Sequence, residues 1–114
     1  RIYLIVGNHD LKNLRKGYYK RFEDVVMQMH IEVDKQRIYL NHCPFLCYGG
    51  AYRDTWQLFG HVHTSKQNTG IDAPRLHMLF PTQYDVGVDN NNFTPVSFEQ
   101  VKRIIERQVE QSKK

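Results

Sequence analysis

"TWQLFGHVHT", residues 55–64, decides how this chain is read: a strand-like run stops at Gly60, and His61 and His63 follow two positions apart. Apolar and aromatic residues closed by a glycine form a short strand that ends just before His61. If residues 61–63 stay extended, the period of two places both imidazoles on one face. Functional side chains gather at the carboxyl ends of strands in α/β sheets, because loops there are fixed by the sheet yet face solvent.

Two further histidine-bearing turns lie upstream. "IYLIV", residues 2–6, is a β-branched apolar run that predicts a buried strand, stopped by the turn formers of "GNHD" at 7–10. "HIEVDKQRIYLNH", residues 30–42, predicts a hairpin turning at 34–36 and delivering His42 at its end. Between them, the spacing of Tyr18, Phe22, Val25, Val26 and Met29 predicts a helix over 13–29, with Gly17 as its weak point. Downstream, "RLHMLF" at 75–80 and "YDVGVD" at 84–89 read as short strands separated by Pro81. Ser97 with Gln100 three residues on forms a capping box, and Val101, Ile104, Ile105 and Val109 make the apolar stripe of a terminal helix. The class expected is α/β, with mixed β-sheet layers flanked by helices. One unit spans 1–114: a sheet core with one helix over 1–96, then the terminal helix over 97–112.

Composition narrows the function classes. The 114 residues are 25% charged and 40% hydrophobic, ordinary for a globular domain, and no apolar run approaches the roughly 20 residues of a membrane span. Sixteen Lys and Arg against twelve Asp and Glu leave a net charge of +4, too mild to argue for nucleic acid alone. Lys12, Arg15, Lys16, Lys20 and Arg21 read first as a solvated face and second as a nucleic-acid contact. Cys43 and Cys47, without a second pair to complete a zinc site, read as incidental thiols in a reducing cytoplasm; a single-metal structural site would need one of them as a ligand. His30 and His77 read as structural, and Trp56 as core. Tyr48 and Arg53 fall between the histidine turns, where Arg53 could pair with a phosphate. The sequence opens directly on a core strand, so a preceding segment is expected.

The three turns, in order, are "GNHD" at 7–10, "NHCP" with His42, and "GHVH" at 60–63. That series resembles the calcineurin-like metallophosphoesterase family, in its C-terminal half only, and the tail from Tyr84 is similar to the closing strand and helix of small members. The resemblance implies the C-terminal part of a β-sandwich fold and hydrolysis of a phosphomonoester or phosphodiester at a dinuclear centre of Mn, Fe or Zn. By the same resemblance Asn8, His42 and His61 would ligate one metal, His63 would ligate the other, and His9 would be the catalytic general acid; Asp10 has no assigned role. The family's upstream D-x-H and G-D motifs are absent. With them go three ligands and the bridging carboxylate, without which two cations repel with little to offset it. The chain alone is therefore expected to be inactive and to hold at most one metal, weakly. Its expected partners are a phosphate ester and either a missing N-terminal half or a second copy, with no membrane. The alternative is a non-catalytic binding or scaffolding module, associated with nucleic acid.

Overall fold

The computed structural model describes residues 1–62, 64 and 73–113. A short βαβ unit opens the chain: β1 (Tyr3–Ile5) runs parallel to β2 (Asp24–Val26), with α1 (Leu11–Arg15) and a 3₁₀ turn at Tyr18–Arg21 between them. The helix expected over 13–29 is thus broken. Gly17 sits at φ 92, a left-handed conformation that ends α1, and Phe22 is already extended. The valines then do what β-branched residues favour: Val25 and Val26 pair with Leu4 and Ile5. The residues spaced three and four apart are shared among the 3₁₀ turn, β2 and the strand that follows it, in place of one long helix.

The main sheet has four strands in the order β3 (Gln28–Val33), β4 (Gln36–Asn41), β5 (Thr55–Phe59) and β6 (Gln83–Asp85). β3 and β4 form the expected hairpin, whose two linking residues, Asp34 and Lys35, both have positive φ (50 and 68), as a type I′ turn requires. β4, β5 and β6 are parallel. The segment 75–80 is not a strand: Ala73–Met78 is a 3₁₀ helix, in which Pro74 occupies an early position that needs no N–H. The last strand is also cut short, because Asp85 Oδ1 accepts from Gly87 N–H at 2.8 Å and draws the backbone out of the ladder into a further 3₁₀ turn, Val88–Asn90.

α2 (Phe98–Ser112) covers one face of the sheet. Its capping box forms as expected, Ser97 Oγ accepting from Gln100 N–H and Gln100 Oε1 accepting from Ser97 N–H. Val101 and Ile105 pack on Ile38 and Trp56, and Phe98 stacks on Trp56 at 5.5 Å between ring centroids. Trp56 is core, as expected. The opposite face is built differently. Gln57 and Gln83, both fully buried on adjacent strands, bond to each other (Gln83 Nε2 to Gln57 Oε1, 2.9 Å) and bracket two loops. Gln57 Oε1 accepts from Phe45 N–H at 3.1 Å, Gln83 Nε2 donates to Phe45 O at 2.9 Å, and Gln83 Oε1 accepts from Phe80 N–H at 2.8 Å. His30 stacks on Tyr39 at 4.5 Å on this face, a structural place for it. No helix among the described residues is long and apolar enough to cross a membrane.

Candidate functional site

Three strands end at one rim. β1 stops at Ile5, β4 at Asn41 and β5 at Phe59, and the residues just beyond them include Asn8, His42 and His61. Gly60 N–H donates to His42 O at 2.9 Å, which ties the exit of β5 to that of β4. On the β1 side the turn closes on itself, Asp10 Oδ2 accepting from Gly7 N–H at 2.7 Å. That gives Asp10 a structural role. Gly7 is buried, and a Cβ there would stand 2.9 Å from His42 Nδ1, so only a glycine lets this turn approach the imidazole.

Three polar atoms converge at His42 Nε2. Asn8 Oδ1 lies 2.8 Å from it and His61 Nδ1 3.2 Å, with the two imidazole rings edge to face at 5.0 Å. With each ring protonated on its other nitrogen, His42 Nε2 and His61 Nδ1 both present lone pairs beside the Asn8 amide oxygen. Three acceptor atoms grouped in this way could hold a cation. Neighbouring ligands held about 2.1 Å from a first-row metal stand about 3.0 Å apart in octahedral geometry, close to both observed separations. An amide oxygen and two imidazoles form a borderline-hard donor set that fits Mn, Fe or Zn. Among the described residues no group of three or more His, Cys, Asp or Glu is placed to hold a metal. The cluster reaches three donors only by counting Asn8.

The other expected site residues divide. His9 is exposed in the turn beside Asn8, at the same rim. His63 lies outside the described residues. Arg53 does not join: it precedes β5, whereas His61 follows it, so five strand residues, about 16 Å, separate them. It lines a different cavity, with Trp56, Lys102 and Glu106. Cys43 and Cys47 are exposed. His77 lies in a 3₁₀ helix instead of a strand.

His61 also departs from expectation, because its φ is 61 and the chain is not extended there. A non-glycine residue in this region is costly, by about 1 kcal/mol or more, and persists only where its surroundings hold it. Val62 N–H donates to Gly60 O at 2.6 Å on one side. On the other, Asp85 Oδ2 accepts from Thr64 N–H at 3.1 Å and from Thr64 Oγ1 at 2.5 Å. Asp85 is 3% exposed, so it is a buried carboxylate at the end of β6 whose acceptors fix Thr64, three residues beyond His61. Sequence reasoning placed Asp85 in a late strand and gave it no task. The available signal was a carboxylate two residues before a glycine at a strand end.

No family model and no curated protein matches the chain. Its structure is similar to the crystal structure of AQ665 from Aquifex aeolicus, a protein of unknown function, at 21% identity and a TM-score of 0.62. The likeness covers 91% of this chain and 61% of that one, so the chain spans about three fifths of its neighbour's length. The α/β fold is what this likeness shows.

Proposed function

We propose that this chain supplies part of a metal-dependent phosphoesterase centre, with one divalent cation held by Asn8, His42 and His61 and with His9 as proton donor to the leaving group. The observation that carries it is the meeting of Asn8 Oδ1, His42 Nε2 and His61 Nδ1 from three separate strand exits. A bound divalent metal would supply Lewis-acid polarisation of the phosphoryl oxygen and a water of lowered pKa. The chain's own contribution is to hold that geometry: Gly7 admits His42, Asp85 fixes Thr64 beyond His61, and exposed His9, next to Asn8 in the turn, would protonate the departing alkoxide. Because the three ligands include no carboxylate, affinity is weak. His63 and a second cation remain part of the proposal, with further ligands needed from outside this set.

Titration of the chain with Mn, Zn or Co, followed by calorimetry, tests this reading. One ion per chain is expected, with binding lost in His42→Ala. No binding, or binding indifferent to His42, overturns it; tight binding of two ions overturns the weak single-site arrangement.

A second reading, a nucleic-acid-binding module, is favoured by one feature. Lys12, Arg15, Lys16, Lys20 and Arg21 are all exposed on the crossover that follows the Asn8 turn. Binding of single-stranded RNA that falls steeply with added salt would support it; RNA binding absent at low salt would remove it.

A further inference from the structure

Beside His61 lies a cavity of about 280 Å³ with Phe45, Leu46, Val62 and Met78 among its walls, and with Arg75 as the cation at its edge. Its position is continuous with the cluster, since His61 belongs to both. Two of its apolar side chains are held out toward solvent: Leu46 is 69% exposed and Met78 54%. Exposed apolar groups gathered at a concave site mark a ligand surface more often than scattered ones do. Arg75 lines the same cavity, its Nη1 4.0 Å from Met78 Sδ, so a guanidinium is available beside the apolar walls.

Resting on the phosphoesterase reading, we propose that this cavity receives the organic group of the substrate, and that the group is a single flat aromatic ring. The phosphate would sit at the Asn8, His42 and His61 corner, with the ring between the Phe45 and Met78 walls and the Arg75 guanidinium on its face. Size, surface and charge agree. A cavity of about 150 Å³ already accepts benzene, so this one takes a ring with its ester linkage. The apolar walls select against glycerol-like or sugar-like groups, whose hydroxyls would lose water without gaining partners. A guanidinium above a ring contributes a cation–π attraction that no aliphatic group can match.

Amide-resolved NMR titration of the full chain, with zinc present, tests this with three probes: phenylphosphonate, methylphosphonate and benzyl alcohol. Phenylphosphonate is expected to bind at least tenfold more tightly than methylphosphonate and to shift the amides of Phe45, Leu46, Val62 and Met78. Leu46→Asp, at an exposed position that does not threaten folding, is expected to bring the ratio of the two affinities toward one. Equal affinities for the two phosphonates overturn the ring pocket, even where methylphosphonate shifts Asn8 and His42. Shifts of the pocket amides by benzyl alcohol and phenylphosphonate, with no response to methylphosphonate at the rim, support the ring pocket and remove the phosphoesterase reading.

Discussion

The two faces of the four-stranded sheet are held by different physics. Under α2, Ile38, Trp56, Val101 and Ile105 exclude water by apolar contact, and the helix needs only its stripe and its cap. On the other face Gln57 and Gln83 hold loops 43–48 and 79–82 by hydrogen bonds to main-chain groups, with Tyr39, Phe45, Tyr48 and Phe80 packed around them. Apolar burial is non-directional and tolerates small shifts, whereas hydrogen bonds specify positions. The loop from His42 onward is on the specified side. The face that supplies bulk stability is thus separate from the face that fixes the candidate site.

That division predicts separable losses. Trp56→Ala is the largest: it empties a ring-sized volume beneath Phe98 and should cost about 3–5 kcal/mol, read by denaturant unfolding. If the faces are independent, the native fraction of the variant still shows the His42 and His61 ring signals unshifted. Gln57→Leu should cost less, about 2–3 kcal/mol, because the Phe45 N–H and the Gln83 amide lose a buried acceptor. Its distinguishing mark is local: hydrogen exchange at Phe45 should accelerate while that at Val101 follows only global stability. Equal acceleration on both faces would mean that the sheet transmits the change and the comparison fails.

Asp85→Asn should be smaller again, about 1–2 kcal/mol, since an amide offers one acceptor oxygen where Thr64 and Gly87 draw on two. Its effect on metal binding should exceed its effect on stability, because the residue fixes Thr64, three residues beyond His61 with its positive φ. A variant with lowered unfolding midpoint but unchanged metal affinity would show that Asp85 serves the fold alone.

The helix side was the more legible in the sequence. Ser97, Gln100 and the stripe from Val101 to Val109 announce α2 because capping and period 3.6 are local signals. The Asp34–Lys35 hairpin and β5 were legible for the same reason. The helix over 13–29 misled because Tyr18, Phe22 and Val25 satisfy a helical period, while pairing with β1 is a long-range gain the window does not contain. In the candidate site, histidines after strand ends were visible, as was Asn8. The brackets made by Gln57, Gln83 and Asp85 were not, since a polar residue inside a strand gives no sign of whether it will find a buried partner. Arg53 was misplaced because closeness in sequence to two motifs says nothing about which end of the strand it occupies.

The smallest predicted effect compares one tyrosine from each face. Burial pushes the Tyr48 hydroxyl above its ordinary value of 10.0, with its bond to Thr82 working the other way. Burial also raises Tyr84, on the helix face, with the Asp85 charge adding to it. In both cases folding favours the neutral phenol, so the native state holds more protons than the unfolded chain above pH about 10. Their contribution is therefore complete below that pH and is lost as pH climbs through the raised values. Tyr48→Phe should cost about 1 kcal/mol at neutral pH through the lost Thr82 bond, and should flatten part of the alkaline decline. Tyr84→Phe, losing its bond to Asn91, should flatten a further part. If the faces are as separate as their chemistry suggests, the two flattenings add in the double variant; a double variant no flatter than Tyr48→Phe alone would show that the loop face yields first and carries the alkaline transition by itself.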